Sequence, residues 1–116
     1  MAVTGAHVLL YTSEAEALRA VLRDVLGWSS YDAGEGWLIF DLPPGELGVH
    51  PSEPGDSHHE LALTCDDIGG TVAELRTRGI EFREQPRDLG WGVGTTMLLP
   101  GGVEVLLYEP RHPQPA

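Results

Sequence analysis

A strand followed by a helix is encoded twice in this chain, and this repetition constrains the fold more than any other feature of the sequence. The first copy covers residues 6–28, AHVLLYTSEAEALRAVLRDVLGW, and the second covers residues 59–80, HELALTCDDIGGTVAELRTRGI. In each copy a histidine precedes a helix-ending glycine by the same number of residues, His7 before Gly27 and His59 before Gly79. An internal duplication is the simplest explanation. We therefore expect two half-sized modules that share one core.

The first copy predicts a buried strand over residues 7–12 and a helix that begins at about Glu14. Ser13 and Glu16 match the S-x-x-E capping box, in which the two side chains hydrogen-bond the free backbone N–H groups of a helix start. Gly27 is expected to end the helix, because glycine takes the left-handed conformation without a Cβ clash. Apolar residues at helical spacing would form one stripe on this helix: Leu18, Val21, Leu22, Val25 and Leu26.

The second copy predicts a weaker helix over about residues 68–78. Asp66 or Asp67 can cap its start, and Gly79 can end it. Gly69 and Gly70 each destabilise it by about 1 kcal/mol relative to alanine. Its apolar stripe is narrower: Ile68, Val72 and Leu75.

The remaining segments read as short antiparallel strands separated by glycine- and proline-rich turns. Each module then has the order βαβββ, with helices on one face of a curved mixed sheet and the other face forming a cup. The predicted class is α+β, as one domain over residues 1–116, with module one at about 5–50, a linker at 51–57 and module two at about 58–111. The further strands are expected from Tyr31 and over 37–42, 47–50, 59–65, 80–83, 94–99 and 103–108.

Charge and cysteine content exclude several classes of partner. The formal net charge is −11, from 18 acidic against 7 basic residues among 116. Nucleic acid and anionic membranes attract cationic surfaces, so we expect neither as a partner. The one cysteine, Cys65, allows no intrachain disulfide, and the N-terminal sequence is unlike a signal peptide. A cytoplasmic protein is expected.

At this point the chain resembles the vicinal oxygen chelate superfamily, which includes glyoxalase I, bleomycin resistance proteins and extradiol dioxygenases. The resemblance extends from about residue 5 to residue 111. The segments that carry it are AHVLLY, DVLGW, HELALTCDDI, RTRGI and LPGGVEVLLYEP. It implies the two-module fold, and it leaves the reaction open because one fold hosts many chemistries.

In metal-dependent members of that superfamily, His, Gln or Glu side chains from the first and last strands of the modules hold a divalent ion in the cup. His7 matches the first of these positions. In the second module both His59 and Glu60 stand near the position. Leu61 and Leu63 share a face with His59 and should pack on the helix, which favours Glu60 for the cup, with His59 as the alternative.

The two last-strand positions match less directly. In the first module the aligned residue is Gly48, which cannot bind metal, and His50 lies one pleat further along. In the second module the spacing from the turn proline leads to Leu106, with Glu104 two residues earlier on the same face. The resemblance therefore implies a metal set of His7, Glu60, Glu104 and His50.

Aromatic residues are the candidates for binding an organic molecule in the cup. They are Trp37, Phe40, Trp91 and Tyr108. Trp91 is the most suggestive, because the sequence GWGVG places its large ring among glycines in a loop that can reach the pocket mouth. Asp66, Asp67 and Arg111 are assigned to capping and to the surface.

Two hypotheses about function follow. The first is an enzyme dependent on a divalent metal (Fe, Mn, Ni, Co or Zn), of lyase, isomerase or dioxygenase type, that acts on a small oxygenated substrate with Glu60 or Glu104 as general base. The second is a non-catalytic protein that binds a drug-like small molecule in the same cup, as bleomycin resistance proteins do. A homodimer is expected, because a partner can cover the free edge of such a sheet.

Overall fold

The computed structural model describes residues 7–49 and 51–111. It contains two helices, a two-stranded sheet in the first half and a five-stranded sheet in the second. The helices are α1 (Ala15–Ala20), continued by a π-helical turn (Val21–Val25), and α2 (Ile68–Thr77). The strands are β1 (Ser30–Asp32), β2 (Leu38–Phe40), β3 (Ala62–Thr64), β4 (Glu81–Phe82), β5 (Arg87–Asp88), β6 (Gly92–Leu99) and β7 (Val103–Pro110).

The larger sheet has the strand order β3-β7-β6-β4, with β5 also paired to β6. β3 runs parallel to β7, and the other pairs are antiparallel. One face of this sheet packs against α2, which confirms the predicted apolar stripe of that helix. The buried apolar residues of the two elements are Ile68, Val72 and Leu75 on α2, and Met97, Leu99, Val105 and Leu107 on the sheet.

The ends of α2 are those that the sequence predicts. The Asp67 carboxylate accepts a hydrogen bond from the Gly70 N–H at 3.1 Å, so Asp67 rather than Asp66 is the cap. Gly79 has φ +92°, and the Ile80 N–H behind it donates to the Leu75 carbonyl at 3.0 Å. A left-handed glycine thus ends the helix and lets the chain return to the sheet.

The start of α1 differs from the prediction. The capping box of Ser13 and Glu16 is wrong, since neither side chain caps the helix. The Thr12 hydroxyl oxygen instead accepts from the Glu14 N–H at 3.2 Å, and the same hydroxyl donates to the Pro100 carbonyl at 3.4 Å. Thr12 therefore ties the entrance of α1 to the 3₁₀ turn at Pro100–Gly102 in the second module.

The helix also changes its pitch before it ends. From Val21 to Val25 it is π-helical, and the Leu26 N–H donates to the carbonyl of Val21, five residues earlier, at 3.0 Å. Gly27 follows with φ +72°, which confirms the predicted stop. Leu18 and Leu22 are buried, and the other residues of the predicted stripe are half-buried.

Two strands predicted for the first module are absent from the described residues. Residues 7–12 and 47–49 form no ladder, and position 50 lies outside the described part. A strand needs a neighbouring strand for its backbone hydrogen bonds, and the side chains of these segments are largely in solvent, with Leu47 92% and Val49 93% exposed. What forms is the β1–β2 hairpin, in which the Asp32 carboxylate accepts from the Gly34 and Gly36 N–H groups.

The modules meet through α1. Leu18 belongs to the same buried cluster as the α2 stripe. The Arg78 guanidinium, at the end of α2, donates to the Val25 carbonyl at 2.9 Å and to the Asp24 carbonyl at 2.8 Å. The α+β class with a shared core is thereby confirmed, although the second module supplies most of the sheet.

Candidate functional site

The candidate site is the face of the five-stranded sheet opposite α2, which we call the cup face. Directly opposed residues on paired strands share a face, so the strand register defines its members. Ala62 lies opposite Leu106, and Leu106 lies opposite Thr96. The described members are Ala62, Thr64, Glu81, Arg87, Gly92, Gly94, Thr96, Leu98, Glu104, Leu106, Tyr108 and Pro110.

The alternation predicted around Glu60 is present in β3. Leu61 and Leu63 pack against the core, whereas Ala62 and Thr64 are exposed. Glu60 lies two residues before Ala62, outside β3, and its side chain is exposed. His59 is exposed as well.

Glu60 has a neighbour that the sequence did not suggest. His58 Nε2 lies 3.5 Å from the Glu60 carboxylate, and His58 Nδ1 lies 2.9 Å from the Asp56 carbonyl. The hydrogen bond with the Asp56 backbone, together with the carboxylates of Asp56 and Glu60, raises the pKa of His58. The group is exposed, so it adds little to stability.

Glu104 lies on the cup face as predicted, but its carboxylate forms an ion pair with the Arg83 guanidinium. Both side chains are about half exposed. Glu104 lies opposite Leu98, and Leu98 lies opposite Glu81, so this row of the sheet ends at the β4 edge. Arg83 engages one oxygen of the Glu104 carboxylate, so a metal ion or a substrate proton would compete with its positive charge.

The rest of the predicted metal set is not brought together. His7 is exposed in a segment without secondary structure, and His50 lies outside the described residues. Within residues 7–49 and 51–111, no group of three or more His, Cys, Asp or Glu side chains is arranged to hold a metal ion. Protein sites for divalent ions ordinarily supply at least three nitrogen, oxygen or sulfur ligands. The described donors do not fit such an ion, and the ligand set of His7, Glu60, Glu104 and His50 stays a prediction.

Two of the predicted aromatic residues do meet on the cup face. The Trp91 and Tyr108 ring centroids lie 4.7 Å apart, and the ring planes are at 87°. Edge-to-face pairs of this kind are favourable by about 0.5–1.5 kcal/mol beyond their buried area. Trp91 remains 49% exposed, so part of its ring is available to a ligand.

The glycines of GWGVG explain how Tyr108 fits there. A Cβ at Gly92 would lie 2.7 Å from the Glu109 carbonyl oxygen and 3.1 Å from Tyr108 Cδ2. A Cβ at Gly94 would lie 2.7 Å from both the Leu107 carbonyl oxygen and Tyr108 Cβ. Only glycine permits this close approach of β6 to β7, and the Tyr108 ring occupies the space that two side chains would have filled.

The Trp91 loop is held by a residue that we had assigned to the surface. The Arg111 guanidinium donates to both Asp88 carboxylate oxygens, at 2.8 and 3.0 Å, and to the Gly90 carbonyl at 2.7 Å. The Asp88 carboxylate also accepts from the Gly90 N–H at 2.7 Å, and the Arg111 N–H donates to the Trp91 carbonyl at 3.1 Å. Arg111 and the Gly90 N–H lower the pKa of Asp88 to about 2.

We call this arrangement of Asp88, Gly90 and Arg111 the loop clamp. The sequence analysis missed it and missed β5, in which Asp88 lies. The available signal was an aspartate two residues before a glycine, which favours a side-chain-stabilised turn.

Trp37 and Phe40 belong to the other sheet. Trp37 is exposed just before β2, with the Arg19 guanidinium carbon 5.6 Å from its ring centroid. Phe40 is half-buried at the end of β2. The contacts described for these two residues stay within the first module, so their predicted role in binding is untested.

The Tyr108 hydroxyl also interacts electrostatically with a residue of the first module, Glu46. Burial raises the pKa of the Tyr108 hydroxyl, and the negative charge of Glu46 raises it further. Cys65, behind Tyr108, is half-buried, and its Sγ lies 3.7 Å from the Tyr108 carbonyl oxygen. Burial raises the pKa of this thiol, which is the opposite of what a nucleophilic cysteine requires.

Among the described residues, no helix has the length and apolar character needed to cross a membrane.

Solved structures with the same fold include a binding protein and an enzyme. TnmS3, an antibiotic binding protein from Streptomyces sp. CB03234, is 23% identical with a TM-score of 0.69, over 95% of this chain and 98% of that one. A lactoylglutathione lyase from Agrobacterium tumefaciens is 16% identical with a TM-score of 0.66, over 91% and 92%. A superfamily member from Sphaerobacter thermophilus is 19% identical with a TM-score of 0.63, over 92% and 98%.

These identities establish likeness of fold alone, and the first two structures represent a binding protein and an enzyme. No curated protein sequence matches this chain significantly. The sequence model of one family, however, matches residues 5–110, which is nearly the whole chain. The protein belongs to the Glyoxalase/Bleomycin resistance protein/Dioxygenase superfamily.

Proposed function

We propose that this protein binds a small, planar aromatic molecule on its cup face without transforming it. The observation that carries the proposal is the perpendicular Trp91–Tyr108 pair. Small-molecule sites are lined mainly by apolar and aromatic groups with a few polar groups for orientation. The cup face has this composition, because Leu106 and Thr96 lie in the row next to Tyr108.

Two further observations support a binding role. Gly92 and Gly94 are required for the position of the Tyr108 ring, and the loop clamp fixes the backbone of Trp91. A rigid aromatic wall loses little conformational entropy when a ligand binds. TnmS3, which has the same fold, is an antibiotic binding protein, and antibiotic binding is a function of the same kind.

The metal-dependent enzyme is the competing proposal. Metal-dependent members of the superfamily and the lyase among the solved structures support it. Against it stands the Arg83–Glu104 ion pair, which occupies the carboxylate that would be both ligand and base. On this proposal Glu60 or Glu104 is the base, and the metal ligands are His7, Glu60, Glu104 and His50.

Binding can be tested with 2-naphthalenemethanol, a neutral planar probe, by isothermal titration calorimetry on the full chain. We expect Trp91→Leu to weaken binding at least tenfold, since stacking on one aromatic side chain contributes about 1–3 kcal/mol. Tyr31→Leu is the matched control, because it removes an exposed aromatic side chain from the other sheet, and it should change affinity less than twofold. Equal losses for the two variants would show that the probe does not select the cup face.

The metal hypothesis is tested on the same protein, expressed without a metal-binding tag. Fe, Mn, Ni, Co and Zn are titrated while the melting temperature is recorded, with His7→Ala as the control. On the binding proposal, no metal raises the melting temperature of the wild type more than that of His7→Ala. A metal-dependent rise that His7→Ala abolishes, together with near-stoichiometric metal in the purified protein, would favour the enzyme.

We also propose that the protein forms a homodimer. Support comes from apolar side chains that a single chain leaves in solvent, on segments predicted to be strands: Val8, Leu9, Tyr11, Leu47 and Val49. A second copy could pair with these segments and bury them. Sedimentation equilibrium at micromolar concentration should give the dimer mass, and a monomer would count against the proposal.

A cytoplasmic location remains part of the proposal, supported by the single free cysteine.

A further inference from the structure

We propose that the ligand of the cup face carries an alkylated ammonium group, and that this group lies in the corner between the Trp91 and Tyr108 rings. The inference rests on the proposed binding function and names the chemical class of the molecule bound. If the ligand is a neutral aromatic molecule, the proposed binding function still holds and only this inference is wrong.

The Trp91 and Tyr108 rings are nearly perpendicular. Two rings at 87° with centroids 4.7 Å apart form a corner with two aromatic walls. The face of an aromatic ring carries negative charge density, and it attracts a cation within about 6 Å of the ring centre. A flat aromatic ligand can stack on one wall only, whereas a compact tetrahedral cation touches both.

The cations already near the corner are arginines. Three arginines near β4, β5 and the Trp91 loop are each paired with a carboxylate: Arg83 with Glu104, Arg87 with Glu84 at 3.0 Å, and Arg111 with Asp88. Their charges are therefore largely compensated and do not repel an incoming cation. None of them contacts the Trp91 or Tyr108 ring in the cation–π contacts of the described residues, where Arg19 and Arg76 contact other rings.

The surrounding field is negative in sign. Glu46 acts on Tyr108 as a negative charge. The chain as a whole has a formal charge of −11. A field of this sign raises the local concentration of cations and speeds their encounter with the site.

The test compares two probes of the same shape, trimethyl(2-naphthylmethyl)ammonium and 2-(2,2-dimethylpropyl)naphthalene. They differ in one atom, nitrogen against carbon, and hence in charge. Affinities are measured by tryptophan fluorescence and calorimetry on the full chain. We expect the ammonium probe to bind at least tenfold more tightly than its neutral partner.

Variants test which residues cause the preference for the ammonium probe over the neutral probe. Tyr108→Leu and Trp91→Leu should each reduce the preference for the cation to less than threefold. Glu46→Gln should reduce it at least threefold while the affinity for the neutral probe stays the same. Glu53→Gln removes the same charge from the linker and should leave the preference unchanged. Melting temperatures establish that each variant is folded, and Tyr108→Phe, which keeps the ring, should retain the preference.

The outcomes separate this inference from the proposed function. If both probes bind with equal affinity and Trp91→Leu weakens both, the cup face binds aromatic molecules but the ammonium inference is wrong. If neither probe binds, the proposed function itself fails. If Glu53→Gln reduces the preference for the cation as much as Glu46→Gln does, the preference comes from net charge. That result would overturn the assignment of the ammonium group to the corner between the Trp91 and Tyr108 rings.

Discussion

The two modules repeat one sequence pattern, yet they contribute very differently to the folded chain. Of the buried apolar residues in the described part, Leu18 and Leu22 belong to the first module and the other eight to the second. The large exposed apolar residues show the reverse, with Trp91 and Leu98 in the second module and eight in the first. A duplicated pattern determines which elements are favoured, but each strand still needs a neighbour that the pattern does not specify.

The comparison predicts where mutations will cost most stability. Met97 on β6 is 0% exposed and lies in the core between the sheet and α2. Met97→Ala should lower the free energy of unfolding by about 2–5 kcal/mol, because the cavity adds to the lost transfer energy. Urea unfolding, followed by circular dichroism, measures the change.

The matched control is Leu47→Ala in the first module, measured at a protein concentration too low for association. Because Leu47 is 92% exposed, the free energy of unfolding should change by no more than about 0.5 kcal/mol. A loss comparable with that of Met97→Ala would mean that the segment around Leu47 is packed within the single chain. The contrast between the modules would then be wrong.

Gly94 in the second module and Gly48 in the first differ in the space available for a side chain. A methyl group at Gly94 would meet the Leu107 carbonyl oxygen and Tyr108 Cβ at 2.7 Å, whereas one at Gly48 would meet nothing within 4 Å. Gly94→Ala should therefore cost about 1–3 kcal/mol, since backbone must move. Gly48→Ala should be neutral or stabilise by up to about 1 kcal/mol, through a less flexible unfolded chain.

Thermal unfolding of the two variants tests this pair, and fluorescence of the tryptophans adds a second readout. Gly94→Ala should also shift the emission, because displaced Tyr108 leaves the Trp91 ring. Equal melting temperatures for the two variants would show that β6 and β7 can separate at no cost. The close approach that places Tyr108 would then not depend on glycine.

Sequence reasoning succeeded for α2, whose interactions lie within one segment, but it failed for the equally local capping box of Ser13 and Glu16, because Thr12 takes that place and bonds Pro100. The α2 stripe, its aspartate cap and its Gly79 stop lie within residues 66–80, although Asp66 and Asp67 were alternatives for the cap. The strands at 7–12 and 47–50 were predicted from alternation alone, and alternation does not reveal whether a partner strand is available.

The candidate site divides in the same way. The cup side of Glu104 and Tyr108 followed from the two-residue period of β7, and GWGVG pointed to Trp91. The Arg83 ion pair and the loop clamp join residues more than 20 positions apart. Nothing local in the sequence specifies such pairs, and they decide which carboxylates remain available.

Arg78 tests how strongly the modules are joined. Its guanidinium donates to the Val25 and Asp24 carbonyls, which end the helix of the first module. Arg78→Ala should lower the free energy of unfolding by about 1 kcal/mol, the usual net contribution of such hydrogen bonds. Arg23→Ala, which loses an exposed pair with the adjacent Asp24, should produce no measurable change. If the two variants behave alike, the connection between the modules lies in apolar packing around Leu18.

The smallest effect is expected from pH at the loop clamp of the second module. The pKa of Asp88 is lowered to about 2 in the folded state from an ordinary 3.8, because Arg111 and the Gly90 N–H hold the charged form. A carboxyl group with a lowered folded-state pKa binds protons more readily in the unfolded chain. Its contribution to stability is therefore complete above pH 3.8 and is lost as the pH falls through about 2. The difference in unfolding midpoint between wild type and Asp88→Asn should thus be constant from pH 7 to pH 5 and shrink towards zero near pH 2.

Asp32→Asn in the β1–β2 hairpin is the control. The Asp32 carboxylate accepts from two backbone N–H groups but is not paired with an arginine, so at pH 7 the loss of stability should be smaller than for Asp88→Asn. A larger loss of stability for Asp32→Asn would mean that the stronger polar contacts lie in the first module. The second module would then not be the more stabilising one for polar contacts as it is for apolar burial.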